Sequence, residues 1–193
     1  MVETKQSFAL EKRLQDLYDA HTERSKLIEW NYYDYLPWEK GSSFTLNPWN
    51  ESQRTLPTEI VTAIETSMLT EINLPWYTAY LKDMFRDGLA PLQGFVHNWV
   101  AEEDQHATAL ENYLVLTRNS DPKELGVLKR EMMVTGWDST FASPIATMGY
   151  TAIQELATVV FYQKIAKSSK EHDETLSVLL SRLSNDEWLH SAF

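Results

Sequence analysis

Two short segments of this chain each place a histidine three residues after a glutamate. Glu103 and His106 form the first pair, and Glu187 and His190 form the second. In an α-helix, residues i and i+3 lie on the same face, so each pair can direct a carboxylate and an imidazole toward one metal ion. The chemistry that this spacing predicts is metal binding.

A further glutamate stands 32 residues before each pair, at Glu71 and at Glu155. This separation is about the length of a helix, a short turn and a returning helix, which would bring each glutamate to the level of its pair. Both glutamates lie among apolar residues, where an unpaired carboxylate is costly and a cation would compensate it. The two halves of the chain therefore offer matching sets of acidic and imidazole side chains.

Together these side chains supply four carboxylates and two imidazoles, an oxygen-rich set with one nitrogen for each of two metal ions. Such sets on facing helices hold two iron ions with bridging carboxylates and open positions for O2. A single Glu-x-x-His match is usually a solvated helix surface, but two matches with the same upstream spacing exceed the chance expectation. We predict a di-iron (Fe2+/Fe3+) site with six ligands: Glu71, Glu103, His106, Glu155, Glu187 and His190.

The helices that must position these ligands follow from the distribution of glycine and proline. Six glycines and seven prolines leave long segments with helical periodicity. The pattern predicts an all-α chain with helices near 6–28, 57–87, 91–118, 121–134, 142–168 and 171–192. Residues 29–56, rich in aromatic residues, Pro, Ser and Asn, are expected to form an irregular connection.

Local signals refine these helices. Pro75 should kink or end the second helix, because proline lacks a backbone N–H and clashes with the preceding turn. Thr58 or Asp121 suits an N-cap, and Gly88 suits the position after a helix C-terminus. The other three histidines have no glutamate three residues before them, and we expect ordinary surface or core positions for His21, His97 and His172.

Composition excludes several classes of function. The net charge of −11 argues against a nucleic-acid partner, because phosphate binding needs clustered Lys and Arg. The absence of cysteine excludes disulfides, iron–sulfur ligation and a cysteine nucleophile. No apolar run approaches the roughly 20 residues of a membrane span, and the N-terminal segment does not look like a signal or transit peptide. We therefore expect a cytoplasmic protein.

The segments around these residues resemble the soluble acyl-acyl carrier protein desaturases, and the actinobacterial members more than the plant plastid ones. In family order they are WNYYDYLPW (30–38), TEINLP (70–75), WVAEEDQH (99–106), LENYLVLTR (110–118), QELAT (154–158) and DEWLH (186–190). The resemblance implies a ferritin-like four-helix bundle core with additional helices. It places the family's iron ligands on the same six residues that the spacing selects.

The resemblance also implies roles for residues beside the ligands. In the family, an acidic residue before each Glu-x-x-His glutamate orients the histidine of the opposite half, and a tryptophan lies behind it. These pairs would be Asp186 with Trp30, and Glu102 with Trp99. Such partners fix the imidazole tautomer and offer a route for electrons. Thr158 corresponds to the family threonine beside the oxygen-binding face, although a helical threonine can also simply bond its own backbone.

The chain departs from the family pattern at two places. Asp104 and Gln105 stand where family members often have Asn-Arg, at positions that face away from the metal ions. The chain ends three residues after His190, whereas relatives continue for several helices. We therefore expect residues 1–193 to form a single di-iron helical-bundle domain that is incomplete at its C-terminus.

The activity that the resemblance implies is O2-dependent insertion of a cis double bond into a fatty acyl chain on acyl carrier protein, in fatty acid biosynthesis. Its expected partners are the carrier protein, a ferredoxin-like electron donor and a second copy of the chain in a homodimer. Basic residues on the first helix could receive an acidic carrier, although a solvated helix face is the simpler interpretation: Lys12, Arg13, Arg24 and Lys26.

Three alternatives share the ligand chemistry. A ribonucleotide reductase small subunit has a radical tyrosine four residues after the first ligand histidine, where this chain has Leu110. A ferritin-like iron-binding or oxidase protein would not need the aromatic segment 29–56. A metal-poor relative that binds acyl carriers without desaturating them remains open.

Overall fold

The computed structural model describes residues 2–88, 90–141 and 143–193, with the side chains of residues 2–8 and 28 left aside. Within these ranges the chain forms helices and no strand, so the all-α prediction is confirmed. The seven α-helices are α1 (Val2–Ile28), α2 (Thr58–Ile72), α3 (Leu74–Met84), α4 (Ala90–Leu116), α5 (Pro122–Thr135), α6 (Pro144–Ser169) and α7 (Glu174–Ser191).

Four helices form the core of the bundle: α2, α4, α6 and α7. The pairs α6–α7 and α2–α4 make the most extensive contacts, and α2–α6 and α4–α7 join the two pairs. In α7 the buried positions repeat at helical spacing, from Leu176 through Leu179, Leu180 and Leu183. Continuing this spacing toward the C-terminus places Glu187 on the same inward-facing side, so the apolar stripe of α7 leads directly into the predicted ligand pair.

The second predicted helix is broken next to Pro75, as predicted. Helix α2 ends at Ile72, Asn73 forms the junction, and Pro75 lies in the first turn of α3, where its missing N–H costs no hydrogen bond. The single helix predicted over 57–87 is therefore two helices. The break leaves Glu71 in the last turn of α2, at the level of the ligand pairs.

The capping predictions have mixed outcomes. Asp121 caps α5, since its side chain accepts from Lys123 N at 2.9 Å. Thr58 is wrong, because it is already the first helical residue and Pro57 precedes it at the cap position. Gly88 is also wrong, because α3 ends at Met84 and Gly88 lies beyond the following turn.

The segment 29–56 is irregular, as predicted, and contains three short 3-10 turns: Tyr32–Tyr35, Trp38–Lys40 and Glu51–Gln53. The buried Arg118, just after α4, holds this segment in place through hydrogen bonds. Its guanidinium donates to Gln53 Oε1 at 3.0 Å, to Ser42 Oγ at 2.5 Å and to the Asn47 carbonyl. The start of this segment carries Trp30 to the bundle, while α1 packs against α4 and α7.

Across the described ranges, no helix combines the length and the hydropathy needed to cross a membrane.

Candidate metal centre

The six side chains selected from the sequence lie together inside the four-helix core. Their ligand atoms form two overlapping groups, and within each group all lie within 4.8 Å of one another. The first group is Glu71, Glu103, His106 and Glu187, and the second is Glu103, Glu155, Glu187 and His190. Each of the four core helices therefore contributes to one compact cluster, which contains two overlapping sets of possible metal ligands.

Two carboxylates belong to both groups, and their oxygens face both imidazoles. Glu103 lies 3.0 Å from His106 Nδ1 through Oε2 and 2.8 Å from His190 Nδ1 through Oε1. Glu187 lies 3.1 Å from His106 Nδ1 through Oε1 and 3.7 Å from His190 Nδ1 through Oε2. This arrangement makes Glu103 and Glu187 suitable bridges between two ions. Glu71 and Glu155 each belong to one group only.

The cluster buries four carboxylates with only two imidazoles, and the pKa values of its side chains are shifted accordingly. Burial raises the pKa of Glu71 well above its ordinary value of 4.5, and the neighbouring Glu103 and Glu187 raise it further. Burial and Glu187 likewise raise the pKa of Glu155. Burial alone would lower the pKa of His106, but the Glu103 carboxylate raises it well above 6.5. Raised pKa values favour the protonated forms of these groups, and bound metal ions could replace those protons in balancing the carboxylates.

A buried atom at the centre supports metal binding independently. His190 Nδ1 makes no hydrogen bond of acceptable geometry with any group that the structure describes, although Glu103 Oε1 is close. A buried polar nitrogen without a hydrogen bond is costly, and coordination to a metal ion would satisfy it. Carboxylate oxygens and imidazole nitrogens suit first-row divalent metals such as iron. The residues present therefore fit a pair of such ions.

On the outer side of His106, the structure brings the predicted residues together. His106 Nε2 lies 3.1 Å from Asp186 Oδ2, and Trp30 Nε1 donates to the same oxygen at 2.6 Å. An Nε2–H that donates to Asp186 leaves the Nδ1 lone pair directed into the cluster. The roles of Trp30 and Asp186 stay predictions, but their geometry suits orientation of this imidazole.

On the outer side of His190, the structure brings Glu102 to the imidazole but does not join Trp99 to it. Glu102 Oε2 lies 3.0 Å from His190 Nε2. Trp99, however, does not bond to Glu102, since its buried Nε1 makes no hydrogen bond with the described residues. Trp99 and Glu102 are on the same helix, and Glu102 turns toward α1 while Trp99 lines an internal cleft. The partners of Glu102 on α1 are His21 and Ser25.

Sequence reasoning missed two residues of this site. His21 was expected to be ordinary, yet it is buried and contacts Glu102; His97 and His172 are exposed. A signal existed, because His21 lies seven residues after the buried Leu14 on α1 and so shares its face. Tyr162, seven residues after Glu155 on α6, is fully buried and donates to Glu71 Oε1 at 2.6 Å.

Apolar space adjoins the cluster. A cleft with a volume of about 80 Å3 is lined by cluster carboxylates and by the aromatic side chains of Tyr77, Tyr80, Trp137 and Tyr150. A second cavity of about 120 Å3 is lined mainly by apolar side chains of α3, α4 and α6, and it shares Glu155 with the first. The space beside the cluster is therefore lined largely by apolar and aromatic side chains.

Thr158 lies on the wall of the first cleft, together with Glu155. Its Oγ1 donates to the Gln154 carbonyl of the same helix at 3.0 Å. The structure thus shows the local backbone bond that the sequence left open as the simpler interpretation. A role of its hydroxyl in oxygen chemistry stays a prediction.

Residues 6–193 match the protein family described as fatty acid desaturase. The chain belongs to this family. A Mycobacterium tuberculosis protein that carries the name acyl-acyl carrier protein desaturase DesA1 is 32% identical over 176 residues, which cover 85% of this chain and 51% of DesA1. A stearoyl-acyl carrier protein 9-desaturase of Brassica napus is 30% identical over 171 residues, covering 83% of this chain and 43% of that protein.

A solved structure supports the same assignment. The X-ray structure of the desaturase DesA2 from Mycobacterium tuberculosis superposes with a TM-score of 0.65 at 28% identity, covering 95% of this chain and 66% of that chain. The likeness confirms the predicted ferritin-like helical fold of the family. This desaturase-family chain spans about half the length of DesA1.

Proposed function

We propose that this chain carries the di-iron centre of an O2-dependent acyl-acyl carrier protein desaturase. The observation that carries the proposal is a buried cluster of four carboxylates and two imidazoles that lines an apolar cleft. The names of DesA1 and of the Brassica napus relative give acyl-acyl carrier protein as their substrate class. The proposed reaction consumes O2, two electrons and two protons, converts adjacent methylenes of the acyl chain to a cis alkene, and releases two waters.

The proposed ligands are the six clustered residues, with Glu103 and Glu187 shared between the ions. When bound, iron would supply O2 activation and the oxidising power to remove hydrogen from an unactivated C–H bond. The chain's own side chains do the remaining work. Asp186 and Glu102 accept from the outer Nε2–H of His106 and His190, so that each Nδ1 faces inward.

The cleft would position the acyl chain. Its apolar walls favour a hydrocarbon over water, and their shape would allow only one C–C bond to approach the cluster. Thr158, on the wall of this cleft, is proposed to offer its hydroxyl beside the oxygen-binding face of the metal centre. The apolar cleft beside the cluster supports a desaturase over a ferritin-like iron-binding protein, which needs no apolar space beside its metal.

The partners belong to the same proposal. Desaturation needs an external supply of two electrons, for which we propose a ferredoxin-like donor. A homodimer, a single domain over residues 1–193, and a cytoplasmic location are also proposals.

The test combines metal analysis with product analysis. The chain is loaded anaerobically with ferrous iron, reduced, and exposed to O2 with acyl groups of several lengths on carrier protein or coenzyme A. We expect about two irons per chain and a product lighter by two hydrogen atoms in mass spectrometry. Iron binding without any such product would instead support the iron-binding alternative.

Glu155→Ala tests the ligand assignment in the same assay. It should lower iron content and abolish turnover, because it removes a carboxylate from a site holding several positive charges. Glu171→Ala, at an exposed position, is the matched control and should behave as the wild type. Full iron loading by Glu155→Ala would show that Glu155 is not a ligand.

A further inference from the structure

His21 of α1 lies on the outer side of the metal centre, where the spacing of the ligands gives no reason to expect a histidine. It is 3% exposed, and its Nε2 lies 3.2 Å from Glu102 Oε2. The same oxygen lies 3.0 Å from His190 Nε2, and Ser25 Oγ donates to the other oxygen of Glu102. A continuous chain of polar contacts thus joins α1 to the inner imidazole of α7.

We propose that His21 is a positioning residue of the metal centre, which acts through Glu102 to fix the orientation of His190. The Nε2–H of His21 and the hydroxyl of Ser25 together hold the Glu102 carboxylate in one rotamer. Glu102 then accepts from His190 Nε2–H and keeps His190 Nδ1 directed at the cluster. The inference rests on the proposed metal centre, and it does not depend on which reaction that centre performs.

The surroundings of His21 leave its ring little freedom. Phe95 packs edge-on against it with ring centroids 5.0 Å apart, and Phe193 lies at 6.3 Å. Phe95 and Phe193 are themselves stacked, with centroids 3.8 Å apart and planes within 4°. His21 Nδ1 has no hydrogen-bond partner among the described residues, so within this part of the chain Glu102 is the side chain that satisfies a polar atom of the buried ring. A ring held in this way can transmit its orientation to the carboxylate.

The opposite half of the site has the same arrangement, in which a ring N–H donates to the acidic partner of a ligand histidine, but with a different side chain. There Trp30 Nε1 donates to Asp186, which contacts His106. Trp99, the tryptophan that the resemblance assigned to the second half, makes no hydrogen bond within the described part of the chain. His21 therefore supplies the ring N–H on the His190 side that Trp30 supplies on the His106 side.

The test uses Co2+, whose visible absorption reports the geometry of its ligands without O2 or an acyl substrate. The wild-type chain should bind two cobalt ions. His21→Leu should weaken binding at one of the two sites by about 10- to 100-fold and alter its spectrum, as loss of outer partners of metal ligands does. Trp30→Phe should weaken the other site instead. His97→Leu, at an exposed position, is the matched control.

Two further variants separate positioning from a merely structural role. His21→Gln retains an N–H donor at similar reach and should restore most of the lost affinity. In a Glu102→Gln background, His21→Leu should cause no further loss, because His21 acts through that carboxylate. Ser25→Ala should weaken the same site as His21→Leu.

Other outcomes would overturn the inference. Unchanged cobalt binding in His21→Leu, equal loss at both sites, or a further full loss in the Glu102→Gln background would each exclude a positioning role. A wild-type chain that binds fewer than two cobalt ions would overturn the metal centre and this inference with it. Two bound ions with the expected variant effects, but no acyl product, would overturn only the proposed reaction.

Discussion

The phenolic hydroxyl of Tyr162 donates to Glu71 Oε1 at 2.6 Å inside the bundle. Burial, Glu103 and Glu187 raise the pKa of Glu71, whereas this hydrogen bond works in the opposite direction and stabilises the carboxylate. A metal ligand must be ionised to bind, so a group that favours the carboxylate also favours the metal. Tyr162 on α6 therefore favours the ionised form of Glu71 on α2, which is the form that binds a metal ion.

Tyr162→Phe should therefore weaken metal binding. A hydrogen bond to a charged group contributes about 1.5–3 kcal/mol, which corresponds to a loss of affinity of roughly 10- to 100-fold. Calorimetric titration with a divalent metal measures it. Tyr113→Phe is the matched control, because Tyr113 is equally buried but donates to Asp173. Equal metal affinities for the two variants would contradict this role of Tyr162.

At the scale of the element, α5 contains one glycine that weakens the helix and is followed by another that the chain needs to end it. Gly126 lies within the helix, and a Cβ added there would meet nothing within 4 Å. Gly136 follows the helix at φ 70°, where an added Cβ would lie 3.3 Å from the Trp76 ring. The first glycine only weakens the helix, while the second permits its C-terminal turn.

Alanine at these two positions should change the free energy of unfolding in opposite directions. Gly126→Ala should stabilise the chain by about 0.5–1 kcal/mol, because alanine loses less backbone entropy in a helix. Gly136→Ala should destabilise it by about 1–2 kcal/mol, because a left-handed backbone disfavours a Cβ. Urea denaturation of the two variants beside the wild type measures both. A stabilised Gly136→Ala variant would show that the turn readily adopts another conformation.

At the scale of the whole molecule, proton binding by the cluster makes the stability of the folded chain depend on pH. In the metal-free chain, burial and neighbouring carboxylates raise the pKa of Glu71 and Glu155 above 4.5. Glu103 outweighs burial and raises the pKa of His106 and His190 above 6.5. All four groups bind protons more tightly in the folded chain than in the unfolded one. Their stabilising effect is therefore lost as pH rises from 4.5 for the glutamates and from 6.5 for the histidines.

We therefore expect the Tm of the metal-free chain to fall by more than about 5 °C between about pH 5 and pH 8. Metal ions replace the protons, so metal-loaded chain should melt higher and depend less on pH across this window. Differential scanning calorimetry with and without a chelator measures both forms. Glu71→Gln, which removes one of the titrating groups, should reduce the slope. A metal-free Tm that rises with pH would contradict the proposed charge balance.

The sequence by itself determined the helical class, the break at Pro75 and the six clustered side chains. These features depend on short-range rules: helical periodicity, the missing N–H of proline, and the shared face of residues i and i+3. The 32-residue spacing predicted that each upstream glutamate lies close to its pair, because two packed helices of similar length return a chain to the same height. Such constraints are local or repeat along the chain, so a pattern of residue types is sufficient to show them.

Only the tertiary structure decided which side chains support the ligands. Trp99 and Glu102 are three residues apart on one helix, yet Glu102 turns to α1 and Trp99 to the cleft. His21 contacts a residue 81 positions later in the chain, and Tyr162 contacts one 91 positions earlier. Such contacts depend on how helices rotate and pack against each other. Packing is set by the fit of many side chains at once, so no spacing within a single segment encodes it.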